Sequence, residues 1–258
     1  VMDINLQDLM TPLLALWLPL VRTTAFFHCC PLFDHHAFPR KARFGLALLL
    51  SIIITPLIEH NVVLHRLMSS QTILLTAEQL LWGFLFGQIL NWVFWALQTA
   101  GTLLSMSMGL GMAVMNDPGS GSSTMVISQI VSVFSGLLFF SMDGHLLLVT
   151  ILFKSFALWP ISQAITPLTL SYFVTGVGWM IASALLLALP AAIIMLIVQG
   201  TFGLLNRISP TLNLFALGFP VSMLFGLLCL MLLASRIPQH YLSLTNDILA
   251  QLEHLKVN

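Results

Sequence analysis

The stretch ILLTAEQLLWGFLFGQILNWVFWALQTA, residues 73–100, decides the fold class. It is one unbroken apolar run, longer than the roughly 17–25 residues a helix needs to cross a bilayer. Comparable runs recur near 9–29, 42–60, 123–142, 171–205 and 209–235, and a shorter one, 144–158, reads as a re-entrant or a surface helix. The composition agrees: of 258 residues 58% are hydrophobic and only 7% charged, with a mean hydropathy of +0.99. A soluble domain carries about 25% charged residues. So few charges cannot cover so much apolar surface in water. The chain is therefore expected to be all-α: a polytopic membrane protein of long helical hairpins.

Two features do not suit helices that face lipid on every side. Gln88, Asn91 and Gln98, with Thr99, fall within one arc of a helix at about 100° per residue. Arg22 lies inside the first run, Asp143 just before the short one, and Lys154 within it. Charges at bilayer depth cost about 2.5–3.5 kcal/mol each and normally face protein or water. Pro19, Pro56, Pro190 and Pro220 interrupt apolar runs, and each removes a backbone hydrogen bond that lipid cannot replace. Gly83 and Gly87 form a GxxxG, a weak signal for close helix approach. These helices are expected to pack among other protein helices.

Charge does not orient the spans. Arg40, Lys41 and Arg43 follow the first run, Arg66 the second, Arg207 the fifth and Arg236 the last, so basic residues sit at both ends of consecutive spans. Lys+Arg 9 against Asp+Glu 9 leaves no basic footprint for nucleic acid. The start, Met2 to Asp8, is acidic where a cleavable signal peptide needs positive charge. The tail, 239–256, sets Leu242, Leu244, Ile248, Leu249, Leu252 and Leu255 among polar residues, an amphipathic pattern suited to a partner or a membrane surface.

Catalytic patterns are missing: there is no HExxH, no GxSxG and no GxxxxGK[ST]. Cys29, Cys30 and Cys229 offer no CxxC spacing and read as small buried hydrophobes. His35–His36 and His60 with His65 come nearest to ligand spacing, without a supporting carboxylate pattern. Neither an enzyme nor a cofactor is expected.

The most informative segment is GTLLSMSMGLGMAVMNDPGSGSST, residues 101–124. It carries Met106, Met108, Met112 and Met115, then Asp117-Pro118, which ends a helix, and a Gly/Ser turn. By residues alone the methionines read as ordinary packing ahead of a loop. The stretch Asn206-Arg207-Ile208-Ser209-Pro210 reads as a polar hairpin tip, either a plain turn or an end held against other subunits.

Taken in order, several short pieces carry a resemblance. They are Pro31-Leu32-Phe33 with Pro39 and Arg43, Ala100-Gly101, Met108-Gly109-Leu110, Asp117-Pro118, and Asp143-Gly144-His145. Asn206-Arg207 with Pro210 and Gly218-Phe219-Pro220 complete the set. Over nearly its whole length the chain resembles the FliR/SctT family of type III secretion export-gate subunits, and the MGLGMAVMNDP stretch is most similar to flagellar members. Where this chain has Asp143 the family often has asparagine.

The resemblance implies a FliP-like helical part over 1–170, a FliQ-like hairpin over 171–236 and an amphipathic tail over 237–258. It implies a helical hetero-oligomer with about five copies of FliP and about four of FliQ, which engages FlhB. Through this closed pore unfolded flagellar proteins would leave the cell, at the inner membrane within the flagellar basal body and partly above the membrane plane. It further implies a pore plug over about 106–122, made of Met106, Met108, Gly109, Leu110, Gly111, Met112, Val114, Met115, Asp117 and Pro118. Gln88, Asn91, Gln98, Asn206 and Arg207 are expected at subunit interfaces or the lumen. The competing reading is a secondary transporter of a small solute, with broken helices at Pro190 and Pro220 and with Arg22, Asp143 and Lys154 as its working charges.

Overall fold

The computed structural model describes residues 6–30, 39–58, 69–110, 114–116, 123–161, 167–208 and 214–254. Their order is α1 (Leu6–Cys29), α2 (Arg40–Ile54), α3 (Ser70–Ser107), β1 (Val114–Asn116), β2 (Ser123–Met125), α4 (Val126–Ser141), α5 (Gly144–Leu158), α6 (Pro167–Ile208) and α7 (Leu214–His254). Among the described residues every regular element apart from the β1–β2 pair is helical, as the apolar runs require.

Among the described residues three helices are long and apolar enough to cross a membrane: α3, Ser171–Ile208 of α6 and Pro220–Ile248 of α7. A fourth span exists if α4 and α5 count as one broken helix. The run at 42–60 does not make a full span. Its helix, α2, has 15 residues, or about 22 Å at 1.5 Å per residue, against roughly 30 Å of hydrocarbon. Pro56 lies in the 3-10 turn Thr55–Leu57 that closes it. Elsewhere the prolines do not end helices: Pro19 lies within α1, Pro190 within α6, and Pro220 and Pro238 within α7. Near the first of these, the Thr23 hydroxyl donates to the Pro19 carbonyl at 2.8 Å.

The break between α4 and α5 falls on Asp143, whose backbone is left-handed at φ 55°. Asparagine and aspartate are the non-glycine residues best suited to that conformation. Aspartate at this break therefore meets a need of the backbone, as asparagine would.

The chain divides into two compact units that interleave along the sequence. The first comprises Val1–Asn91, Asp143–Thr175 and Glu253–Asn258. Its core is aromatic: Trp82 stacks on Trp159 with ring centroids 4.8 Å apart, and Phe86 meets Trp159 at 5.5 Å and Phe173 at 6.3 Å. Arg22 is fully buried here. Its Nε donates to Gln79 Oε1 at 2.7 Å, and its Nη1 donates to the Ser155 and Trp159 carbonyls at 2.9 and 2.8 Å. Its guanidinium also lies 4.4 Å from the centre of the Phe156 ring. A charge placed inside an apolar run thereby finds partners within the chain, in a side chain of α3, the buried carbonyls at the end of α5, and an aromatic face, while its Nη2 has no partner among the described residues.

The GxxxG of α3 does what the sequence only weakly suggested. Side chains at Gly83 and Gly87 would collide with α1: with the Arg22 carbonyl and Ala25 Cβ at the first, and with the Phe26 carbonyl (2.8 Å) and Cys29 Cβ (2.9 Å) at the second. The two backbones are in near contact, and only glycine permits it.

The second unit comprises Trp92–Met142 and Gly176–Leu252. Trp92 lies against Gly176, where a Cβ would enter the indole ring. Gly101 packs on Ser128 and Val131 of α4, with its own would-be Cβ 3.1 Å from Ser128 Cα. Beside it the Ser128 hydroxyl donates to the Gln98 carbonyl and accepts from the Thr102 hydroxyl, both at 3.1 Å. Phe94 meets Phe139 at 5.9 Å and Tyr241 at 6.4 Å. Ile237, Tyr241 and Ile248 are buried within this unit while Leu242 is 44% exposed; α7 runs on through the amphipathic stretch to His254, and the side chains of Leu249, Leu252 and Leu255 lie outside the described residues.

The long helices differ in how well the chain covers them. The most apolar window of α3 is 67% buried, whereas those of α6 and α7 are 28% and 22% buried. Leu186, Leu196, Ile208 and Met231 are each at least 70% exposed. These faces need lipid or further protein to cover them.

Candidate functional site

The segment that follows α3 is where helical structure gives way. Met108 N–H donates to the Leu104 carbonyl at 3.0 Å, continuing the helix, and Leu110 N–H reaches back to the Ser105 carbonyl at 3.0 Å. Between them Gly109 adopts φ 78°. That is the glycine-terminated helix end in which a left-handed residue lets the last carbonyls find donors. The MGLG order therefore has a local reason: Gly109 stops α3 and turns the chain.

Beyond the turn, β1 and β2 pair antiparallel in the register Val114 with Met125, Met115 with Thr124, and Asn116 with Ser123. By residue order alone this region reads as a loop. A hairpin signal was present in Asp117-Pro118-Gly119-Ser120-Gly121, a dense turn cluster. Strands of only three residues carry too little alternation to be read from pattern.

Met106 and Met108, two residues apart, face oppositely. Met106 is 58% exposed, while Met108 is completely buried. The Met108 side chain fills the space beside Gly226 of α7, where a Cβ would fall 2.5 Å from its Cε and 2.7 Å from its Sδ. Nearby, Gln199 Nε2 of α6 donates to the Ser107 carbonyl at 2.5 Å. The end of α3 is thus fastened to both long helices of the second unit, by a thioether seated over a glycine and by a capped helix carbonyl. Leu110 is half-buried, and Val114 and Met115 stand in β1. Gly111, Met112, Asp117 and Pro118 lie outside the described residues, as do His35, His36, His60 and His65.

The polar residues expected at interfaces separate into two groups. Asn91 is 5% exposed and donates to the Cys29 carbonyl, with a longer contact of 3.4 Å to Gln88 Oε1. It is used inside the first unit. Gln88 and Gln98 are half-buried, and Asn206 and Arg207 are exposed in the last turn of α6. The structure thus brings Gln88 and Asn91 together. It also shows what sequence reasoning missed: the tie of Met108 to Gly226, Gln199 as a cap on α3, and Gln79 as the side-chain partner of Arg22.

Comparison with known proteins places this geometry. The family model described as bacterial export proteins, family 1, matches residues 13–248. The chain is 31% identical over 240 residues to the flagellar biosynthetic protein FliR of Pectobacterium carotovorum subsp. carotovorum, covering 91% of this chain and 90% of the relative. It is 32% identical over 212 residues to FliR of Escherichia coli (strain K12), covering 81% and 80%. It is also 28% identical over 170 residues to the Yop proteins translocation protein T of Yersinia pestis, covering 65% of each.

Proposed function

Because the chain belongs to family 1 of the bacterial export proteins, we propose that it is the FliR-type subunit of a flagellar type III export gate. It is a polytopic membrane protein whose family serves protein export, and the FliR relatives point to flagellar biogenesis. In this reading the chain joins FliP and FliQ subunits in a closed pore, engages FlhB, and passes unfolded flagellar proteins outward from the inner membrane at the basal body. It contributes structure and gating rather than a catalytic step.

The observation that carries the gating role is the departure from helix after Met108. A left-handed glycine and a short hairpin follow there, and Met106, Met108, Met112 and Met115 are spread across the same segment. Methionine is unbranched and repacks easily, so such a segment can close around an irregular opening without demanding one shape. The segment over about 106–122 is the plug in this reading, and Met108 is its anchor to α7. The 28% and 22% burial of the α6 and α7 windows supports partner helices along both. Asn206 and Arg207, exposed between those helices in sequence, are the polar end offered to a neighbouring subunit. The division into a FliP-like part to residue 170 and a FliQ-like hairpin over 171–236 belongs to the same proposal.

Deleting Leu110–Met115 tests it. The expected result is a complex that still co-purifies with two smaller membrane proteins but raises the conductance of the membrane to small ions. An unchanged conductance would remove the plug assignment. Purification as a monomer or dimer that binds a small solute would favour the transporter reading instead.

A further inference from the structure

Between α1, α2 and α3 the first unit carries a groove of about 490 Å³, within the roughly 300–1,000 Å³ typical of small-ligand sites. Most of its wall is apolar. Val21 and Ala25 come from α1, Phe44 and Ala47 from α2, and Leu80 and Phe84 from α3. Arg40, Arg43 and His28 line the same groove, and no carboxylate does so among the described residues. On α2 the lining residues 40, 43, 44 and 47 follow helical spacing, so one face of that helix leads from the two arginines into the apolar channel.

The cationic end is under-neutralised. Arg43 Nη1 donates to His28 Nδ1 at 3.2 Å, and Arg43 Nε has no partner among the described residues. Arg40, Lys41 and Arg43 also occupy the first turn of α2, whose cap residue Pro39 supplies no side-chain acceptor. Positive side chains at a helix N-terminus add to the positive end of its dipole. Both features favour an anion there.

We propose that this groove binds an anionic phospholipid. Its phosphate is held by the guanidinium groups of Arg40 and Arg43, which suit phosphate oxygens in paired hydrogen bonds. One acyl chain follows the channel between Phe44, Ala47, Leu80 and Phe84. Basic pockets among membrane helices select anionic headgroups in this way. The chemistry of the lining favours a lipid over a partner helix: two arginines at one end, with no carboxylate among the described residues, suit a phosphate, and the apolar wall beyond them suits an acyl chain. Leu49, Ile52 and Ile53 of α2 are also exposed, which leaves apolar surface for a second chain. The proposal does not rest on the gate reading.

Native mass spectrometry of the full chain in its purified complex tests it, with phosphatidylglycerol, phosphatidylcholine or glycerol phosphate added after delipidation. Phosphatidylglycerol is expected to remain bound at energies that strip phosphatidylcholine, with about a tenfold preference. Arg40→Gln with Arg43→Gln should abolish that preference, and Ala47→Trp, which fills the channel, should remove the lipid while keeping both arginines. Equal retention of the two lipids, unchanged retention in the arginine variant, or displacement by glycerol phosphate alone would each overturn the site. If either variant fails to assemble, a photo-crosslinking residue at position 84 in the otherwise unchanged chain decides. A lipid adduct is expected, and an adduct to a polypeptide overturns the proposal.

Discussion

The side chain of Met108 occupies the space that a Cβ on Gly226 would need. One residue closes α3 and the other lies inside α7, so a flexible thioether seated over a glycine holds the start of the hairpin segment to a membrane-length helix. Both halves of that fit matter. The glycine opens the space, and the completely buried methionine fills it.

Gly226→Ala should therefore push Met108 out of place, at about 1–3 kcal/mol for overpacking. Met108→Ala should leave a cavity, at about 2–5 kcal/mol. Because the changes act on one space, the double variant is expected to cost clearly less than their sum. Thermal unfolding of the purified complex measures all three, and strict additivity would show that the two residues do not share a packing site.

The register Met115 with Thr124 predicts a covalent lock. Met115→Cys with Thr124→Cys places two thiols on directly paired residues, whose backbones are close enough in an antiparallel ladder for a disulfide. Oxidation should join them in high yield. If the hairpin moves to open a pore, export into the medium should fall on oxidation and recover with reductant. Full export by a fully oxidised variant would show that the pairing persists during transport.

The α1–α3 contact predicts a difference in sign between two glycines. Gly45 of α2 has nothing within 4 Å of an added Cβ, so Gly45→Ala should be neutral or stabilising by up to about 1 kcal/mol through helix propensity. At Gly83 the added methyl meets a backbone carbonyl, which cannot rotate away as a side chain can. Gly83→Ala should destabilise by about 1–3 kcal/mol. The amount of intact chain recovered from membranes after heating reports both, and similar values would argue against close approach of the two helices.

Arg22 should tolerate neither removal nor a change of shape. Arg22→Met strands Gln79 Oε1 and the Trp159 carbonyl in the core, and each buried acceptor left without a donor costs about 1–3 kcal/mol. Arg22→Lys keeps the charge but lacks the planar fork that reaches a side chain of α3 and the end of α5 together. Both variants are expected to lower the amount of assembled complex, the lysine form included. Wild-type levels for Arg22→Lys would show that charge alone suffices.

Much of this was legible in residue order. The apolar runs placed α4, α5 and α6 to within about four residues and located α3 and α7, whose helices run on past the expected ends at 100 and 235 to Ser107 and His254, because a membrane helix announces itself through sustained hydropathy, a local property. The 42–60 run misled because hydropathy does not register where Pro56 stops a helix. Gly109 and the Asp117-Pro118 turn marked the site segment, but strands as short as β1 and β2 leave no readable period. Asn91 shows the other difficulty. A polar arc on a helix signals a non-lipid neighbour without saying which, and the Cys29 carbonyl within the same chain takes that amide.

By itself, then, the sequence determined a helical membrane protein, the positions of its long spans, its export family and the segment between α3 and α4 on which gating is proposed to turn. These follow from composition and from short motifs in order. Only the tertiary structure decided that Gly83 and Gly87 receive α1, that Met108 sits over Gly226, and that Arg22 finds its hydrogen-bond acceptors within the chain. The partners of Arg22 stand 57, 133 and 137 residues away in sequence. Such pairings depend on which helix faces are brought together, and no pattern along one helix specifies the face of another.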